Sequence, residues 1–113
     1  MDEREQILIQ NYEEYYSFAL DAYNKQKYNS ATTLFFKALV SLCDLFLFRK
    51  EGQIPSSHTN RFRSLEKYPE VYEIVDRDFP FYQDSYTARM DKDIAELLKN
   101  DVEDVKSIVD KGN

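Results

Sequence analysis

Hydrophobic residues recur at helical spacing along most of this chain. In the first segment, about residues 3 to 26, they stand mostly three or four positions apart, which predicts an amphipathic helix: Leu8, Tyr12, Tyr15, Ala19, Ala22 and Tyr23. A turn is expected near residues 27 to 29. A second helix should then begin at Asn29 or Ser30, since either side chain can cap a helix, and run to about Lys50.

The second helix is apolar around most of its circumference. At roughly 100° per residue, four polar residues fall within about 80° of one another: Thr33, Lys37, Ser41 and Asp44. The remaining arc of about 240° is wider than the roughly 100° stripe that docks a helix on one core. We therefore predict that this helix lies centrally in the domain or is covered partly by a second copy of the chain. The polar stripe is either its only solvated face or a seam that faces a ligand groove.

The second half of the chain predicts three further helices. Ser56 or Ser57 can cap a short helix after the loop "EGQIPSS". Pro69 suits the first turn of a fourth helix, which Pro80 should interrupt or kink. A last helix is expected from Asp91 to the neighbourhood of the second glycine, at position 112.

No segment alternates in the manner of a strand, so the fold class predicted is all-α. We expect one domain over residues 1–113, an up-and-down bundle of four long helices with a short fifth. The single cysteine, Cys43, cannot form an intrachain disulfide, and no signal peptide is visible. The apolar run at residues 34 to 48 is too short and too interrupted by charge to span a bilayer. A cytoplasmic protein without membrane contact is the expectation.

The charge of the chain is unevenly distributed. A net charge of −6 argues against sequence-blind binding to a phosphate backbone. Residues 49 to 67, here called the basic segment, nevertheless hold five basic side chains against two acidic ones: Arg49, Lys50, Arg61, Arg63 and Lys67 against Glu51 and Glu66. The only histidine, His58, lies in the same segment.

Few kinds of chemistry are open to this composition. One histidine and one cysteine cannot build a structural zinc site, and two glycines cannot build a glycine-rich phosphate loop, so no metal or cofactor is expected. His58 is either a general acid or base, with Arg61, Arg49 or Arg89 holding a phosphate, or a solvent-facing group at a helix start. An aromatic cluster can stack on bases or belong to the core: Phe79, Phe81, Tyr82 and Tyr86.

Three stretches together resemble the HEPN superfamily of small helical domains. "ALDAYNKQKYNSATTLFFKAL" resembles the first helical hairpin of the family, and "SSHTNRFRSL" resembles its third element, which His58 leads. "YQDSYTARMDKD" resembles its late Tyr-x-x-Arg segment through Tyr86 and Arg89. The resemblance covers most of residues 15 to 93.

The resemblance implies a link to nucleotide or RNA chemistry. Ribonuclease members of the family carry an arginine followed after four to six residues by a histidine, usually paired across a homodimer. Eight residues separate Arg49 from His58 here, and no histidine follows Arg89. The resemblance therefore favours a non-catalytic homodimer, formed partly on the apolar arc of the second helix. It would bind a nucleotide, a nucleic-acid end or a nucleotidyltransferase-like partner of a toxin–antitoxin type.

The candidate ligand contacts lie in the basic segment, on the polar stripe and in the late segment: Arg49, Arg61, Arg63, Lys37, Asp44 and Tyr86. Two alternatives stay open. The first is a metal-independent ribonuclease in which His58 and Arg89 are the catalytic pair. The second is a peptide-binding scaffold, because "AYNKQKYNSATTLFFKAL" also resembles one tetratricopeptide helix pair. Such repeats need about three copies for stability, and the pattern occurs once.

Overall fold

The chain folds into five α-helices, and the predicted all-α bundle with four long helices and one short helix is confirmed. A computed structural model describes residues 2–112, which contain no strand. In chain order the helices are α1 (Glu3–Asn24), α2 (Tyr28–Glu51), α3 (His58–Leu65), α4 (Pro69–Asp84) and α5 (Lys92–Lys111). Helix α2 contacts each of the other four helices. In an array of repeats each helix pair would contact only its neighbours, so this arrangement differs from a tetratricopeptide scaffold.

The predicted central position of α2 is also observed. Thirteen of its 24 residues are buried, and the apolar arc is covered within one chain. Leu34 and Val40 of the arc remain partly exposed, so most of the arc is covered without a second copy of the chain. By length and composition α2 could cross a membrane, but 72% of its most apolar window is buried inside the domain, as in the core helix of a soluble protein.

The start of α2 differs from the prediction. The helix begins at Tyr28 after Lys27, which makes no side-chain capping bond, and the turn before it places Gln26 at a positive φ of 61°. Asn29, one of the two predicted caps, lies inside the helix. Its side chain has another function, because the amide donates to the carbonyl oxygens of Ser85 and Ala88 at 3.0 and 2.7 Å and accepts from the Met90 N–H at 2.8 Å. Asn29 thereby holds the α4–α5 loop against α2.

The other helix ends follow the sequence more closely. Ser57 caps α3 by accepting from the Asn60 N–H at 3.1 Å, and Asp91 caps α5 by accepting from the Ile94 N–H at 2.9 Å. The predicted interruption of α4 is wrong, since the helix continues through Pro80 to its end. Pro80 is exposed, so water can bind the helical carbonyl group that the missing N–H leaves free.

Candidate functional site

A large cavity lies among α1, α2, the start of α3 and the end of α4. It has a volume of about 450 Å³, within the size range of small-molecule sites, and is called here the α2–α3 cavity. One wall is apolar and aromatic: Leu8, Tyr15, Phe36, Val40 and Tyr82. The other is polar: Lys37, Ser41, Asp44, Ser57, His58 and Arg61. Three residues of the polar stripe of α2 thus line this cavity, namely Lys37, Ser41 and Asp44, whereas the Thr33 hydroxyl is hydrogen-bonded to that of Ser85.

Arg61 connects two other side chains of the polar wall. Its Nε and Nη2 donate to Oδ1 and Oδ2 of Asp44 at 2.7 and 3.0 Å, and its Nη1 lies 2.9 Å from Nδ1 of His58. Asp44 and Arg61 are 6% and 8% exposed, so this two-bond ion pair is almost wholly removed from water. Asp44 comes from the polar stripe of α2, and the first turn of α3 brings Arg61 and His58 towards it.

The charges of Asp44 and Arg61 limit the ability of His58 to act as a base. Burial raises the pKa of Asp44, and the Arg61 guanidinium opposes that rise. Burial and the neighbouring Arg61 charge lower the pKa of His58, which favours a neutral imidazole at pH 7. Since Arg61 can only donate, Nδ1 of His58 must accept, and the proton of the neutral ring lies on Nε2. Nε2 is then a hydrogen-bond donor and not a base.

Aromatic rings surround His58 on its other side. Its ring centroid lies 5.1 Å from that of Phe79 and 6.2 Å from that of Tyr82. Tyr82 in turn stacks on Phe36 with centroids 4.6 Å apart and an interplanar angle of 18°. The Lys37 ammonium lies 5.9 Å from the Tyr82 centroid, and none of the ion pairs among residues 2–112 includes Lys37. The aromatic cluster is therefore partly core and partly cavity wall.

The structure brings together only some of the predicted site residues. Lys37, Asp44, His58 and Arg61 share the α2–α3 cavity. Arg49 does not line it: its Nε binds Oε2 of Glu5 at 3.0 Å, beside a smaller cavity of about 160 Å³ among α1, α2 and α5.

The remaining predicted residues lie outside the cavity. Arg63 is exposed and faces the α2–α3 loop, and Arg89 is exposed in the α4–α5 loop. Tyr86 is 68% exposed and lies beside Tyr82, with 2.8 Å between the two hydroxyl oxygens. Within the basic segment, Lys67 is paired with Glu51 at 2.6 Å. The segment therefore does not form one positive surface.

The residues that α1 contributes to the cavity were not predicted from the sequence. Asn11 and Tyr15 line it together with Leu8, from positions three, four and seven residues apart. That spacing places the three on one face of a helix, so the helical wheel contained the information. Nothing in the sequence showed that this face would lie opposite His58, because the contact joins segments far apart in the chain.

A second polar cluster lies buried between α4 and α5. Asp78 is fully buried, and neither of its carboxylate oxygens accepts a hydrogen bond from the described residues. Arg77 Nη2 lies 2.8 Å from Oδ2 of Asp101, and Arg77 Nε lies 3.6 Å from Oδ1 of Asp78. Burial, followed by the neighbouring Asp101 carboxyl group, raises the pKa of Asp78. Asp78 follows Val71 and Val75 at helical spacing, which places a carboxyl group on the buried stripe of α4.

The fold and the cavity geometry are the observations that bear on the function of this chain. No family model, curated protein or solved structure matches this chain. Residues 2–112 contain no group of three or more histidine, cysteine, aspartate or glutamate side chains that could hold a metal ion. The resemblance to the HEPN superfamily depends on the three stretches quoted above.

Proposed function

We propose that this chain is a non-catalytic, HEPN-like domain that binds a nucleotide or a nucleic-acid end in the α2–α3 cavity. The observation that carries the proposal is the Asp44–Arg61 pair beside an unpaired Lys37. Because Asp44 is already bound twice by Arg61, it does not neutralise Lys37. The cavity therefore keeps one uncompensated positive charge next to an aromatic wall, which suits a ligand with an anionic part and a planar part.

The start of α3 adds donors to the same region. The first N–H groups of a helix have no partner within it, and the helix dipole favours an anion at that end. Ser57 satisfies the Asn60 N–H, while the N–H groups of His58 and Thr59 precede the first intrahelical bond. Nε2 of His58 is a further donor. A phosphate group close to Lys37 would find these donors within one region of the cavity wall.

The ribonuclease alternative receives less support from the geometry. Cleavage at a 2′-hydroxyl needs a base within hydrogen-bond reach and a cation for the developing charge. The Arg61 guanidinium occupies the nitrogen of His58 that could accept a proton, and Arg89 does not line the cavity. A binding function for His58 agrees with both observations.

A calorimetric or NMR titration of the purified chain with AMP tests the proposal. Lys37→Met should weaken binding by about tenfold, because one charge-assisted contact is lost. Lys50→Met is the matched control, since Lys50 is an exposed lysine of the same helix outside the cavity. Equal AMP affinity of both variants and the natural chain contradicts the proposal, and so does no binding of either AMP or a 5′-phosphorylated oligoadenylate.

A protein contact on α1 is a second candidate, favoured by two exposed side chains. Ile7 is 48% exposed and Phe18 is 61% exposed, and their separation of 11 residues places them about 20° apart on one face. We propose that this face forms the homodimer contact or binds the nucleotidyltransferase-like partner that the resemblance implies. We also propose that the protein acts in the cytoplasm. Sedimentation of the natural chain should give about twice the chain mass of 13.5 kDa, and Phe18→Ser should give the monomer. A monomer in both cases excludes this homodimer.

A further inference from the structure

We infer that the ligand of the α2–α3 cavity carries an unstacked base that lies on Tyr82 and Tyr86. This inference rests on the proposed function, because it assumes that the cavity accepts a phosphate-bearing ligand. It adds that the affinity comes partly from the base. The ligand is then a free nucleotide or an unpaired nucleic-acid end, and neither a bare phosphate nor a sugar phosphate is sufficient.

Tyr82 offers a prepared stacking surface. Phe36 stacks on one face of its ring, with a centroid distance of 4.6 Å, and holds the ring in place. The Lys37 ammonium lies over the ring at 5.9 Å from the centroid, a loose contact made by the end of a flexible side chain. Phe79 also lies beside the ring, with a centroid distance of 6.3 Å, but Tyr82 lines the cavity, so a planar group that enters the cavity can meet the ring when this ammonium moves.

Tyr86 extends the same surface towards solvent. Its ring centroid lies 5.5 Å from that of Tyr82 at an interplanar angle of 77°, and the two hydroxyl groups are hydrogen-bonded. The hydrogen bond restricts the Tyr86 side chain, which is 68% exposed, and a restricted side chain loses less entropy when a ligand binds. Two rings at nearly right angles form a corner that a base can enter, stacking on one ring and meeting the edge of the other.

Lys37 links the base to the phosphate. When a base lies over Tyr82 in place of the ammonium, the lysine side chain is free to bind the phosphate of the same ligand. Base and phosphate are neighbours in any nucleotide, so a single residue can exchange one contact for the other. In a duplex the bases are paired and stacked inside the helix, which excludes this arrangement except at an unpaired end.

The experiment compares inorganic phosphate, ribose 5-phosphate, AMP and a short 5′-phosphorylated single-stranded oligoadenylate at one ionic strength, with the full chain. AMP should bind at least about fivefold more tightly than ribose 5-phosphate, since base stacking on aromatic side chains contributes this much or more. Tyr86→Ala should remove most of that difference and leave the affinity for ribose 5-phosphate unchanged. Tyr72→Ala is the matched control, because Tyr72 is a partly exposed tyrosine of α4 that lies outside both the cavity and the α1 face.

Two further variants at Tyr82 distinguish a loss of base stacking from a loss of folding. Tyr82→Phe retains the ring and loses only the hydroxyl group, so AMP binding should persist. Tyr82→Leu keeps a large apolar side chain without a ring, so it should weaken the binding of AMP but not that of ribose 5-phosphate. Equal affinities for AMP and ribose 5-phosphate overturn the base inference and leave the anion site intact. No binding of any of the four compounds overturns the proposed function as well. Tighter binding of the oligoadenylate than of AMP assigns the site to a nucleic-acid end, and the reverse assigns it to a free nucleotide.

Discussion

Arg61 binds both carboxylate oxygens of Asp44 across the space between α3 and α2, at 2.7 and 3.0 Å. Helix α3 is only eight residues long, and Arg61 and Leu65 are its two buried side chains. An isolated helix of that length is unstable in water, so its position depends on these tertiary contacts. The ion pair therefore fixes the element that carries His58 and completes the polar wall of the cavity.

Replacing Arg61 should destabilise the domain strongly. Arg61→Ala leaves the Asp44 carboxylate buried without a partner, and we expect the free energy of unfolding in urea to fall by about 3 kcal/mol or more. Arg63→Ala, on the exposed face of the same helix, should change it by less than about 0.5 kcal/mol.

The double variant Asp44→Leu/Arg61→Met separates a lost charge partner from lost packing. Because it removes both charges together, it should be more stable than Arg61→Ala. If the double variant unfolds as easily as Arg61→Ala, the unpaired carboxylate is not the cause of the destabilisation.

The α2–α3 pair also shows how far the sequence alone could lead. The width of the apolar arc of α2 predicted that the helix is covered on several sides, either centrally in the domain or partly by a second copy, because this follows from the hydrophobic pattern of one segment. The polar stripe with Lys37 and Asp44 was equally visible. The partner of this stripe was not visible in the sequence. Arg61 reaches Asp44 only because the α2–α3 loop reverses the direction of the chain. Periodicity specifies which face of a helix is polar, but not what lies opposite.

The predicted pairing of Arg89 with His58 shows a second case in which the sequence did not specify what lies opposite a residue. Arg89 follows the exposed end of α4, and the three hydrogen bonds of Asn29 fix the loop that contains it. The sequence suggested Asn29 as a helix cap, because asparagine favours that position. Instead its side chain satisfies groups more than 50 residues away, and the backbone at Lys27 starts the helix without a side-chain cap.

Stability should fall as the pH rises, because of Asp78. Its pKa is raised to about 9 in the folded state from an ordinary value of 3.8. Between these values the folded domain retains a proton that the unfolded chain releases. The free energy of unfolding should therefore decrease with increasing pH across this window, by up to about 1.4 kcal/mol per pH unit.

Asp78→Asn tests this origin directly. An amide is neutral at every pH, so urea unfolding of this variant at pH 5, 7 and 9 should show a much smaller decrease than the natural chain. Asp76→Asn, the same substitution at an exposed position of the same helix, should keep the decrease. An equal pH dependence in both variants would assign the effect to the overall negative charge.

Asn29 should be important for the order of the α4–α5 loop. Asn29→Ala removes three hydrogen bonds and leaves the N–H of the buried Met90 without its partner, which should cost about 1–3 kcal/mol. Hydrogen exchange at the Met90 amide should accelerate more than exchange within α2. Asn100→Ala, an exposed asparagine on α5, is the control and should leave this amide unchanged. An unchanged exchange rate at Met90 in Asn29→Ala would show that other contacts hold the loop.

His58 should not catalyse RNA cleavage in this chain. The low pKa keeps the ring neutral at pH 7, and the Arg61 guanidinium occupies the nitrogen that would accept a proton from a 2′-hydroxyl. Single-stranded RNA incubated with the purified chain in EDTA should therefore remain intact, with rates equal to those of His58→Ala. Arg61→Lys offers a stricter test. It keeps a positive charge near Asp44 but removes Nη1 of the guanidinium, the nitrogen that binds the imidazole of His58. If the natural chain cleaves RNA and His58→Ala does not, the base is His58 and the non-catalytic assignment is wrong.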